Sequence, residues 1–160
     1  MSRASIVSTT NTQGRFLTKD DLQRASSYFQ KAAASLEAAR LLTDKQEILD
    51  QELTQVINER FPDVASLFEL KIEEFTLDIK FYIKIVSYCL VVGGTGPADD
   101  YLLANLNEVE QYSSSLNLSF NRYIQAVKFL LDYIKSNHGL SGQPAEETNR
   151  YIDHVVNALP

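Results

Sequence analysis

The chain of 160 residues has one cysteine, two histidines, no tryptophan and no block of like charge. Each scarcity removes a class of function. A single thiol, Cys89, cannot form an internal disulfide and fits a reducing compartment. The two imidazoles, His138 and His154, have no second His, Cys or carboxylate at a ligand spacing on their own helices, so no metal centre is expected. Fifteen Lys and Arg against twenty-one Asp and Glu give a net charge of −6, spread along the chain. Nucleic-acid affinity comes largely from clustered cations that release counterions, so no nucleic-acid partner is expected. The longest uncharged apolar run, residues 85–97, is broken by Gly93, Gly94 and Gly96 and falls short of a bilayer span, which speaks against membrane insertion. The opening MSRASIVSTTNTQG has no apolar run of the kind a secretory signal carries. A cytoplasmic protein is expected.

What the chain does have is helical periodicity. The length fits a single domain spanning 1–160 with one core. Thr18 followed by Asp20 and Asp21 predicts a helix start, after which Leu22, Ala25, Phe29, Ala32, Ala33 and Leu36 make a face narrow enough to pack closely on a neighbour. Thr43-Asp44-Lys45-Gln46 reads as a capping box for a second helix, with Ile48, Leu49, Leu53, Val56 and Ile57 inward and Phe61-Pro62 as its end. Residues 65–92 are apolar on most sides, as expected of a central helix. Gly93-Gly94 stops that helix, and Pro97, Asp99 and Asp100 start another, continued by Leu102, Leu103, Leu106 and Val109. After a short Ser113-Ser114-Ser115 loop, Tyr123, Ile124, Val127, Leu130, Leu131 and Ile134 form a clean stripe that Gly139 closes. Pro144, Glu146 and Glu147 open a last helix carrying Tyr151, Ile152, Val155, Val156 and Leu159. The prediction is an all-α fold of about six to eight helices, with no strand pair and no internal repeat.

Candidate chemistry is sparse. Gly93-Gly94-Thr95-Gly96-Pro97 follows a helix and lacks the Lys-Ser/Thr ending of a phosphate loop, so it reads as a turn. Glu73, Glu74 and Asp78 could pair across one helix face, but that spacing also describes a solvated face. Cys89 lies among Tyr88, Leu90 and Val91, an apolar setting that disfavours thiolate and makes it a small buried hydrophobe. No enzyme is indicated.

Three segments carry a resemblance. Ser87-Tyr88-Cys89-Leu90-Val91-Val92-Gly93-Gly94-Thr95-Gly96-Pro97 with Asp99-Asp100-Tyr101-Leu102 resembles the central signature of phycobiliprotein α chains, phycocyanin type most closely. Gln13-Gly14-Arg15-Phe16-Leu17 resembles their N-terminal turn. Asn137-His138-Gly139-Leu140-Ser141-Gly142, Tyr151-Ile152-Asp153 and Asn157-Ala158-Leu159 resemble their C-terminal end. The resemblance implies a globin-like helical domain with two N-terminal helices that clasp a β-type phycobiliprotein subunit, or pair with themselves. It also implies assembly into a phycobilisome at the cytoplasmic face of the thylakoid.

The family holds a linear tetrapyrrole by a thioether to the cysteine of a Cys-x-Arg-Asp pattern. Here Phe75 stands where that cysteine belongs and Leu77 where the arginine belongs, so no covalent bilin is expected. Asp78 matches the carboxylate that binds the pyrrole nitrogens, and Tyr82 and Tyr123 match residual pocket positions. Arg122 replaces a tryptophan, and the stretch from Pro62 to Phe75 is several residues shorter than in phycocyanin. Cys89 matches a second cysteine of the family that carries no pigment. A family aspartate before the N-terminal turn becomes Asn11 and an arginine of the long helix becomes Lys84; Lys does not reproduce an Arg fork, so partner choice is expected to differ. The implied function is a pigment-free α-like subunit acting in antenna assembly or regulation. The alternatives are a light-harvesting subunit holding a phycocyanobilin-type bilin noncovalently through Asp78 and Tyr123, or a redesigned or diverged pigment-free helical scaffold. Haem is disfavoured because no histidine lies on the central helix.

Overall fold

The computed structural model describes residues 16–63, 72–102, 104, 120–137 and 140–159, and of residues 72–77 and 120 the backbone alone. Five helices have defined bounds: α1 Lys19–Asp44, α2 Gln46–Arg60, α3 Ile72–Val92, α4 Phe120–Asn137 and α5 Gly142–Ala158. A further helical segment begins at residue 96. No strand occurs among the described residues, as the periodicity predicts.

Local chemistry explains most helix ends. Thr18 and Asp21 form a reciprocal capping box, and Arg24 holds the second oxygen of Asp21 at 2.7 Å, which is why this carboxylate sits buried without an orphaned charge. The capping box expected at Thr43 does not form. Thr43 lies inside α1 and its hydroxyl donates back to the Ala39 carbonyl, so α2 starts from Lys45 without a side-chain cap. Gly93 ends α3 with φ +77, a left-handed conformation costly for other residues, and its N–H reaches the Cys89 carbonyl at 2.8 Å. α5 begins at Gly142, two residues before the predicted Pro144. Gly139, Leu103, Leu106, Val109 and the serine loop lie outside the described residues.

The core is assembled from one stripe per helix. Leu49, Leu53 and Ile57 of α2 are buried, as expected, whereas Ile48 points outward and is exposed. α3 contributes Ile79, Tyr82, Ile85, Val86, Cys89 and Leu90, and α4 contributes its whole predicted stripe from Tyr123 to Ile134. Tyr151, Ile152 and Val155 complete the core from α5. α1 packs on α3 and α5 through Ala34, Ser35, Ala38, Ala39 and Leu42, where small side chains let helices approach closely. Its predicted narrow face takes little part in that packing. Leu22, Phe29 and Leu36 remain exposed.

Candidate functional site

The three positions singled out in the sequence converge. Asp78 and Tyr82 lie one turn apart on α3 and so share a face, while Tyr123 comes from the first turn of α4. The Tyr123 hydroxyl donates to Asp78 Oδ2 at 2.5 Å, joining residues 45 positions apart. Tyr123 is 0% exposed and Tyr82 is 3% exposed, while Asp78 is half-buried. Burial, then the charge of Asp78, then Tyr101 push the Tyr82 phenol well above the ordinary tyrosine range, which places its ring within electrostatic reach of the carboxylate. Tyr82 meets Tyr101 edge to face at 6.5 Å, and Tyr101 stacks on Phe81 at 5.6 Å.

This cluster is an aromatic and carboxylate contact whose carboxylate is half-buried. Two concavities lie elsewhere among the described residues. One is a groove of about 590 Å³ where α1, the start of α2 and the outer side of α3 meet, with Leu36, Ala39, Leu49, Lys80, Ile83 and Tyr88 in its walls. The other, about 240 Å³, lies between α2 and α4. Neither is lined by Asp78, Tyr82 or Tyr123.

The chain's one thiol stands away from this cluster. Position 75 falls in the first turn of α3 and offers no sulfur. The one thiol lies 14 residues further on, about 21 Å along the helix at a rise of about 1.5 Å per residue. Cys89 is 0% exposed, and burial pushes its thiol up against the opposing pull of a backbone hydrogen bond from Ala98.

Two arrangements escaped the sequence reading. Arg122 forks Asp63 through Nε at 2.7 Å and Nη2 at 2.9 Å, while its guanidinium lies 4.7 Å from the Phe61 ring centre. Phe61 in turn meets Phe129 edge to face at 5.4 Å, so the end of α2 is tied to α4. Arg122 was visible in sequence only as a replaced tryptophan; its partner stands 59 residues away. Likewise Lys80 reaches Asp50 of α2 at 2.6 Å, fixing one wall of the larger groove. Nothing local to either sequence position predicts these pairs.

The remaining candidates settle into structural roles. His154 meets Asp99 at 2.6 Å, and Thr95 donates to the other oxygen of Asp99, so the glycine turn is pinned to α5. The hydrogen bond from His154 holds the Asp99 carboxyl below its ordinary range against a smaller opposing effect of burial. Among the described residues no group of three or more His, Cys, Asp or Glu could hold a metal ion. His138 and Asn11 lie outside them, and the side chains of Glu73, Glu74, Phe75 and Leu77 are likewise not described. No described helix is long and apolar enough to cross a membrane.

Known proteins place this geometry in a family. Residues 5–159 match the family described as Phycobilisome protein. The chain is 32% identical over 160 residues to the C-phycoerythrin class 1 subunit alpha of Synechococcus sp. WH8020, covering 97% of this chain and 96% of that relative. It is 32% identical over 161 residues to the phycoerythrocyanin alpha chain of a Nostoc species, covering 96% and 94%. It is also 32% identical over 160 residues to the B-phycoerythrin alpha chain of Rhodella violacea, covering 97% and 96%. With an all-helical structure consistent with the globin-like phycobiliprotein fold and near end-to-end similarity to α chains, this chain belongs to the phycobilisome protein family as an α-type phycobiliprotein subunit.

Proposed function

We propose that this chain is a phycobilisome α-type subunit that carries no covalent bilin and acts in antenna assembly or regulation, without enzymatic activity. One observation carries the reading: position 75 is phenylalanine, and the only sulfur nucleophile is sealed in the core at Cys89. A thioether needs a thiolate that can reach the pigment, and neither condition is met. The Asp78 carboxylate, which would orient pyrrole nitrogens, already accepts from Tyr123. What remains available is surface. Leu22, Phe29 and Leu36 of α1, with Tyr88, Val91 and Val92 of α3, form an apolar exposure of the kind that marks a protein interface. The partner is a β-type subunit or a second copy of the chain, engaged through α1, at the cytoplasmic side of the thylakoid.

The test is coexpression with a bilin-synthesising pathway, followed by denaturing electrophoresis and zinc staining. The expected result is a colourless band. A zinc-fluorescent polypeptide would overturn the proposal. The half-buried Asp78 supports a second reading, noncovalent bilin binding at Asp78 and Tyr123. Titration with free phycocyanobilin decides it, because occupation of that site shifts the visible band and Tyr123→Phe diminishes the shift.

A further inference from the structure

The larger groove combines an apolar floor with a cationic mouth. Leu42 and Leu49, 4% and 1% exposed, form the floor from α1 and α2, and half-buried Ile83 joins them from α3. Its volume of about 590 Å³ lies well inside the range of roughly 300–1,000 Å³ typical of small-molecule pockets. Three cations, Arg40, Lys80 and Lys84, stand in its walls against two carboxylates, Asp44 and Asp50. One positive charge is therefore in surplus, on a chain whose net charge is −6.

The pairing pattern puts that surplus on identifiable atoms. Lys80 Nζ is held by Asp50 at 2.6 Å. Arg40 meets Asp44 only at 3.9 Å, with both side chains mostly exposed, and so loose a pair contributes little. Lys84 pairs with no carboxylate among the described residues. Its ammonium instead lies 5.9 Å and 6.0 Å from the ring centres of Phe81 and Tyr88, which stand one turn to either side on α3. Aromatic faces attract the ammonium but leave its N–H donors for an oxygen anion.

We propose that the groove binds a free amphipathic monocarboxylate, its hydrocarbon tail on the floor and its carboxylate at the mouth with Lys84 of α3 and Arg40 of α1. Each part of such a ligand answers one part of the wall. A small inorganic anion leaves the apolar floor facing water, and a neutral hydrocarbon strips water from two cations with nothing in exchange. A cationic amphiphile meets the surplus positive charge. A long-chain carboxylate covers the floor, and its single negative charge balances the single surplus. Leu36, Tyr88 and Val91 belong both to this groove and to the apolar exposure assigned to assembly, so ligand and protein partner exclude one another there. The inference thus supplies a regulator to the assembly reading, while the binding itself does not depend on it.

The test is calorimetric titration of the full chain with dodecanoate below its micelle concentration. One site per chain is expected, with hexanoate much weaker because a shorter tail leaves the floor uncovered, and with dodecyltrimethylammonium silent because it carries the wrong charge. Lys84→Gln is expected to weaken dodecanoate binding about fivefold, the upper end for one exposed ion pair. Lys84→Arg retains binding, and Lys128→Gln on α4, outside the groove, leaves it unchanged. Leu36→Glu, at a position 55% exposed, sets a carboxylate against the ligand's own and abolishes binding with helical circular dichroism unchanged. No saturable dodecanoate binding, equal binding of the cationic amphiphile, or indifference to Lys84→Gln and Leu36→Glu would each overturn the proposal. The two readings fail separately, since neither Asp78 nor Tyr123 lines the groove. A zinc-fluorescent chain that binds dodecanoate removes only the pigment-free function, and a colourless chain that does not bind it removes only the ligand site.

Discussion

Tyr123→Phe tests the contact at the centre of the candidate site. The substitution keeps the fully buried ring and removes only the hydroxyl that donates to Asp78. A hydrogen bond to a charged group contributes about 1.5–3 kcal/mol, and the low end applies because half-buried Asp78 can recover water. A loss of about 1.5 kcal/mol corresponds to about 3–6 °C in Tm for a domain of this size. Because Asp78 and Tyr123 make further interactions, single variants mix several effects. The decisive quantity is the coupling in a double-mutant cycle with Asp78→Asn, which isolates the pair and is expected to exceed about 1 kcal/mol. Urea unfolding followed by circular dichroism gives all four free energies. Additivity within about 0.3 kcal/mol would show that the two side chains are neighbours without being partners, and the reading of Asp78 as engaged by Tyr123 would fail.

Leu131→Ala, at a fully buried position of α4, is expected to cost about 2–5 kcal/mol by denaturant unfolding, far more than Ile48→Ala at an exposed one. Cys89 is expected to resist a disulfide exchange reagent in the native protein and to react fully in denaturant; rapid native reaction would place the thiol outside the core. The raised Tyr82 phenol favours the folded state while neutral. Its contribution is fully present below about pH 10, the unfolded value, and is lost as pH rises toward the folded one, so alkaline destabilisation should be weaker in Tyr82→Phe. His154→Gln removes the hydrogen bond that depresses Asp99, so the Asp99 carboxyl should titrate at higher pH by NMR, and an unmoved titration would refute the pairing.

The sequence by itself determined the helical class, the α4 and α5 core stripes, the Thr18 cap and the Gly93 stop. Each depends on residues within a turn or two of one another, where hydrophobic period and backbone preference act directly. It also determined that position 75 is phenylalanine and that the chain has one thiol, at Cys89, since these are side-chain identities. Tertiary structure decided the rest. Only the meeting of α3 and α4 joins Tyr123 to Asp78, and only the segment that follows α2 gives Arg122 its carboxylate, Asp63. Thr43 turned back onto its own helix because an i−4 carbonyl competed successfully for its hydroxyl. Whether the apolar face of α1 lies inside or outside was likewise open in the sequence, because a stripe shows where helices can pack and not which neighbour covers it. Burial of Ala34, Ala38 and Leu42 against α3 and α5 turned that face outward.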